Sequence, residues 1–148
     1  MKSFFKKYSI GFFPIAAACL LILTAFISCI VSNGVVGYSI ANFGWVIALS
    51  VLALAAVCGS FVLAQKFGNK TLTYLGVWFA IVAVGICFTI VVTARAELVG
   101  TLWITALDSV NPLAVAAMNS GATGFFVYLA AMVFLVVGGF MPIAKEED

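Results

Sequence analysis

Few side chains in this sequence can take part in acid–base, nucleophilic or metal chemistry. The 148 residues include seven Lys and Arg, five Asp and Glu, four Cys and no His. The sequence has no Gly-rich phosphate loop, no nucleophile beside a base at a recognised spacing and no cluster with metal-ligand spacing. We therefore expect no enzymatic activity, no metal and no cofactor.

Three ionisable residues lie close together in the sequence around Trp103. Pairing of Arg95 with one carboxylate at a helix end is the ordinary explanation, and an exposed pair contributes at most about 1 kcal/mol. Alternatively, Glu97 and Asp108, one on each side of Trp103, bind a polar ligand such as a sugar against the indole ring. The sequence leaves both interpretations open.

The four cysteines, Cys19, Cys29, Cys58 and Cys87, all lie in apolar stretches and form no CxxC pair. This pattern predicts packing residues rather than a redox centre. Cys19 and Cys29 would be separated by about 15 Å along one helix, which excludes a disulfide between them.

The composition places these residues in a membrane. Hydrophobic residues make up 66% of the chain and charged residues 8%, whereas a soluble domain is about 25% charged. The net charge of +2 and the absence of a basic patch argue against nucleic-acid binding. The sequence predicts a small integral membrane protein.

Four apolar runs are long enough to cross a hydrocarbon core of about 30 Å, and none has a charged residue in its interior. The predicted spans are 12–31, 43–64, 72–94 and 122–142. The predicted outer loops are 32–42 and 95–121. Aromatic residues near the outer ends of the spans, including Tyr38 and Tyr128, are expected at the membrane interface.

The basic residues predict the orientation of the spans. Six lie on one side of the membrane: Lys2, Lys6, Lys7, Lys66, Lys70 and Lys145. Only Arg95 lies on the other, so the positive-inside rule places both termini in the cytoplasm, and the short loops suit a bacterial inner membrane. The start of the chain resembles a signal peptide, but its apolar run is long for one, and we expect it to be retained.

Small residues at four-residue spacing predict where the helices pack, because helices in a bilayer associate through close contact at such residues. The candidate packing residues are Ala48, Ala55, Ala56, Gly59, Ser60, Gly76, Ala80, Gly138 and Gly139. The short link between the second and third spans predicts antiparallel neighbours, and the second span is expected to be the central helix. Packing within one chain is the favoured interpretation, and contact with a second chain is the alternative.

The second outer loop predicts a helical cap. Residues 97–108 have the spacing of an amphipathic helix, either a continuation of the third span or a separate element. Asn111 and Pro112 predict the start of another short helix over 112–118, which 119–121 would end. The expected fold is therefore an all-α, antiparallel bundle of four transmembrane helices with a short helical extracytoplasmic cap between helices 3 and 4. The candidate interaction residues of the outer face are Arg95, Glu97, Leu102, Trp103, Asp108, Leu113 and Met118.

Three functional hypotheses follow. The first is an accessory or assembly subunit that binds another membrane protein, or a second copy of itself, through its cap and helix faces. The second is an oligomeric channel or transporter subunit for a neutral or weakly polar solute, with hydroxyl groups along the path from Ser50, Ser60, Thr89 and Thr93. The third is an outer-face binder of a sugar-like ligand. Membrane lipid is an expected partner in each case.

Overall fold

The structure, a computed structural model, describes residues 10–67, 69–105 and 111–142, and for residues 65 and 101–105 it describes the backbone alone. The described ranges contain four helices and no strand. They are α1 (Phe12–Asn33), α2 (Phe43–Phe67), α3 (Thr71–Thr105) and α4 (Pro112–Phe140). Each is long and apolar enough to cross a membrane, with a mean hydropathy between 2.1 and 2.6. The predicted all-α bundle of four transmembrane helices is confirmed.

Asn111 is the N-cap residue of α4, as predicted. The side chain of Asn111 accepts hydrogen bonds from the backbone N–H groups of Leu113 and Ala114, at 3.2 and 3.3 Å. Pro112 occupies the first turn, where its missing N–H has no acceptor to lose.

The predicted end of this helix at 119–121 is wrong, because α4 runs through these residues without a break. The hydroxyl of Ser120 donates to the carbonyl oxygen of Ala116, at 2.7 Å, and so bonds within the helix. Gly121 is buried against Arg95, where it permits close packing. The separate helix over 112–118 therefore does not exist. Of the two alternatives for 97–108, α3 continues through residue 105, and 106–108 lie outside the described residues.

The helices are not equally central. α1 packs mainly on α4, α2 mainly on α3, and α3 and α4 pack on each other, whereas α1 and α2 touch at few positions. The contact between α2 and α3 agrees with the predicted pairing of the second and third spans. The prediction that the second span is central is wrong, because α2 has only one extensive neighbour.

The two ends of the bundle contain different parts of the chain. The loop end carries residues 34–42 and Asn111, and the termini end carries Gly11 and Pro142. At the termini end, the backbone N–H of Gly11 donates to the carbonyl oxygen of Pro142, at 3.2 Å. This bond joins the start of α1 to the residues that follow α4.

The termini end is held by close contacts at glycine. A Cβ atom on Gly138 would lie 2.5 Å from Cγ1 of Ile15, and a Cβ on Gly76 would overlap the side chain of Ser60. Each glycine therefore allows two helices to approach more closely than any other residue would permit.

Candidate functional site

Arg95 is the least expected buried residue of the described part of the chain. It lies in α3 and is only 3% exposed. The sequence placed it outside the membrane as a candidate for surface interaction, and that expectation of an exposed side chain is wrong. A buried guanidinium needs hydrogen-bond partners, because burying an isolated charge is very costly.

The guanidinium group of Arg95 donates three hydrogen bonds. Nε donates to Oγ of Ser32, at 3.0 Å, and Nη2 donates to the carbonyl oxygens of Ser32 and Tyr38, at 3.0 and 2.8 Å. Ser32 lies in the last turn of α1, where carbonyl groups have no donor within the helix. Arg95 therefore caps α1 and joins it to α3 and to the loop 34–42.

α4 and residue Asn111 complete this group. Oγ of Ser32 donates to the carbonyl oxygen of Ala117, at 2.8 Å, and Nδ2 of Asn111 donates to the hydroxyl oxygen of Tyr38, at 2.7 Å. We call Ser32, Tyr38, Arg95, Asn111 and Ala117 the arginine cluster. It connects α1, α3, α4 and the loop 34–42 at the loop end.

Gly121 makes room for this cluster. A Cβ atom on Gly121 would lie 2.8 Å from both Cγ and Nε of Arg95 and 2.9 Å from Oγ of Ser32. Any larger residue would displace the arginine from the serine. The glycine that was expected to end a helix is thus a packing residue.

A second polar group lies deeper in the bundle. The hydroxyl groups of Ser50 and Tyr128 are 2.7 Å apart, and Oγ of Ser50 is 3.6 Å from Sγ of Cys87. Sγ of Cys87 also donates to the carbonyl oxygen of Val46, at 3.7 Å. Tyr128 is fully buried, so its predicted position at the interface is wrong.

The structure describes the side chains of three other predicted outer-face residues, Glu97, Leu113 and Met118. Glu97 is exposed on α3, Leu113 is 51% exposed and Met118 is half-buried. The side chains of Leu102 and Trp103 and the whole of Asp108 lie outside the described residues. The pairing of Arg95 with Asp108 and the sugar site at Trp103 therefore remain predictions. In the described part of the chain, the partners of Arg95 are all neutral oxygens.

The predicted packing residues divide into two groups. Five lie against a neighbouring helix or in the buried interior, and they are Ser60, Gly76, Ala80, Gly138 and Gly139. Ala56 is half-buried, and its carbonyl oxygen lies 2.6 Å from where a Cβ on Gly76 would be. By contrast, Ala48 and Ala55 are exposed, and a Cβ on Gly59 would meet no atom within 4 Å. For these last three, packing within the chain is contradicted.

The hydroxyls proposed for a conduction path do not share a surface. Ser60 donates to the carbonyl oxygen of Val57, at 2.8 Å, and Thr89 to that of Gly85, at 2.9 Å. Ser60 is buried whereas Thr89 and Thr93 are exposed. Hydroxyls in membrane helices commonly bond back to their own backbone in this way.

The reactive side chains of the described residues form no metal site, since no group of three or more His, Cys, Asp or Glu comes together there. All four cysteines are free. Cys29 and Cys87 are buried as packing residues, whereas Cys58 is exposed. The chemistry this arrangement supports is hydrogen bonding between helices.

The sequence alone did not indicate Ser32, Tyr38 and Gly121 as partners of the arginine. The available signal was weak: a lone arginine after a long uncharged run, and a serine and a glycine near the same end of two other spans. Such residues are also common in turns, and only the packing distinguishes the two uses.

No family model matches this chain, and no curated protein or solved structure matches it.

Proposed function

We propose that the protein is a non-enzymatic accessory or assembly subunit that binds a helix of another membrane protein through the outer face of α2. This outer face consists of four small residues, Gly44, Ala48, Ala55 and Gly59. The observation that supports the proposal is that these residues point away from the protein's own bundle.

The geometry of an α-helix gives the direction of this face. At 100° per residue, the four small residues lie within an arc of roughly 60°. The buried residues of α2 are Val46, Ser50, Ala53, Val57 and Ser60. The centres of the two arcs are about 170° apart, so the small residues face almost directly away from α3.

The outer face is shaped for close contact with another helix. Ala48 and Ala55 are exposed, and a Cβ on Gly44 or Gly59 would meet nothing within 4 Å. Val51 and Leu52, 53% and 49% exposed, border the small residues on either side. Small residues facing lipid offer little surface to the acyl chains, whereas they let a second helix backbone approach closely.

Charge supports a location with both termini in the cytoplasm. Lys66, in the last turn of α2, and Lys70, just before α3, lie at the termini end, while Arg95 lies at the loop end. The remaining lysines flank the first and last helices in sequence. Under the positive-inside rule, this distribution favours a plasma membrane with the loop end outside, and the composition suits a bacterial inner membrane.

The channel and the sugar-binding hypotheses have no observation in their favour among the described residues. The hydroxyl groups of Ser60 and Thr89 are bonded within their own helices and face different surroundings. Two components of the sugar site lie outside the described side chains.

The test is the mass of the particle purified from native membranes into nanodiscs. The wild-type chain of 15.6 kDa is expected in a larger defined complex, and Ala55→Leu with Gly59→Leu should release it. Ala116→Leu is the matched control, because Ala116 is an exposed alanine on α4. A wild-type chain that purifies alone would contradict the proposal, as would a complex that survives the double substitution.

A further inference from the structure

The arginine cluster also has unused binding capacity. A guanidinium group has five N–H donors. Of these, Nε uses one and Nη2 uses two, in the bonds to Ser32 and Tyr38. The two N–H groups of Nη1 have no acceptor among the described residues.

Nη1 is also accessible from outside the protein. Among the described residues, no buried side-chain nitrogen or oxygen lacks a hydrogen-bond partner. Nη1 has no such partner among these residues, so part of its surface must be open although the rest of the Arg95 side chain is enclosed. A fixed cationic donor is thus presented at one point of the loop end.

The charge of this donor is not neutralised within the described part of the chain. Its three acceptors are two backbone carbonyls and one hydroxyl, none of which carries a formal negative charge. The carbonyl of Ser32 at the end of α1 supplies only a partial charge. An anion at Nη1 would therefore meet a full positive charge held in a fixed orientation.

The depth of Arg95 identifies the anion. Residues 71–94 form an uncharged run of α3 that precedes it. At 1.5 Å per residue, Arg95 lies about 36 Å along the axis from Thr71, whereas the hydrocarbon core is about 30 Å thick. The guanidinium is therefore at the level of the lipid headgroups, where phosphate is the abundant anion and a strong acceptor for arginine.

We propose that Nη1 of Arg95 binds the phosphate group of a phospholipid headgroup, at a site held in place by Ser32 and Tyr38. Binding is by a charge-assisted hydrogen bond, and no covalent step is involved. The site is independent of the outer face of α2, since it lies on other elements. It requires only a bilayer leaflet of phospholipid at the loop end.

The chain's single arginine permits a direct test without any substitution. Protein labelled with ¹⁵N-arginine is placed in phosphatidylglycerol and phosphatidylcholine bilayers in phosphate-free buffer, and ¹⁵N–³¹P dipolar dephasing is measured by solid-state NMR. A hydrogen-bonded phosphate gives a nitrogen-to-phosphorus distance of roughly 4 Å. We expect dephasing of one terminal guanidinium nitrogen and weaker dephasing of Nε.

Two outcomes would overturn the proposal. One is the absence of dephasing of the terminal nitrogens in the bilayers. The other is equal dephasing in maltoside micelles with inorganic phosphate and no phospholipid, which would show a site for free phosphate. Tyr74→Phe is the matched control, because it removes a tyrosine hydroxyl near the start of α3, at the termini end and away from the arginine cluster, and its dephasing should equal that of the wild type.

Discussion

The two ends of the bundle are held together by different interactions. At the loop end, Arg95 joins α1, the loop 34–42 and α3 by hydrogen bonds of 2.8 to 3.0 Å. At the termini end, Gly76 and Gly138 let helices approach until backbone and side chains touch. Directional bonds should fail when one atom is removed, whereas close packing should fail when one atom is added. We therefore expect the loop end to be sensitive to the loss of a polar group and the termini end to be sensitive to a larger side chain.

The largest effect is expected for Arg95→Leu. It leaves the carbonyl oxygens of Ser32 and Tyr38 without their donor, and each buried unsatisfied group costs about 1 to 3 kcal/mol. We expect a loss of about 3 kcal/mol in the free energy of unfolding, measured by SDS titration in mixed micelles. Arg95→Lys retains the charge and one donor nitrogen in place of three, and should lose less. Equal stability of wild type and Arg95→Leu would show that the cluster does not hold the loop end.

The next effect is expected from Gly138→Val at the termini end. The added side chain would collide with Ile15, and overpacking of this kind costs about 1 to 3 kcal/mol. The matched control is Gly59→Val, because a Cβ there meets nothing, and it should be near neutral for the isolated chain. Both are measured by the same titration. If the two substitutions cost the same, the close contact at Gly138 contributes nothing specific.

A smaller effect is expected at Tyr128, where a directional bond lies inside the bundle. Tyr128→Phe removes the hydroxyl bonded to Ser50, and such bonds between membrane helices average about 0.6 kcal/mol. A double-mutant cycle with Ser50→Ala should give a coupling energy of that size. Tyr74→Phe serves as the control, because the Tyr74 hydroxyl makes no hydrogen bond to the described residues. Additive single substitutions would mean that the 2.7 Å contact is energetically silent.

The smallest effect is expected for Ser120→Ala on α4. Its hydroxyl bonds within its own helix to the carbonyl oxygen of Ala116, a contact that contributes little because that carbonyl already has a backbone donor. The helix should remain continuous, and the free energy of unfolding should change by less than about 0.5 kcal/mol. Circular dichroism and the SDS titration check both expectations. A loss of helicity would instead support the prediction that a helix ends at 119–121.

Apolar run length predicts the four helices well, because a chain in hydrocarbon must satisfy its backbone groups by forming helix. The N-cap by Asn111 and Pro112 was also predictable, because it depends on local side-chain and backbone chemistry alone. The continuation of α4 through Ser120 and Gly121 was not. Both residues are common in turns, and only the neighbouring arginine shows that the glycine serves packing.

Spacing predicts which residues share a helix face, but it does not say what that face meets. Ala48, Ala55 and Gly59 do share one face of α2, as their spacing predicts, yet α3 packs on the opposite side of that helix. Arg95 was misplaced for a similar reason. Its position after an uncharged run indicates the interface, but its burial depends on Ser32 and on Gly121 in other helices.

The proposed function requires that the outer face of α2 contacts another membrane protein. The most direct measurement is photocrosslinking in native membranes, with a photoreactive residue at Ala55 and, as the control, at Ala116. We expect one discrete adduct of defined mass from position 55 and none from position 116, with loss of that adduct when Gly59→Leu is added. Lipid adducts alone at position 55, or the same protein adduct from both positions, would contradict it.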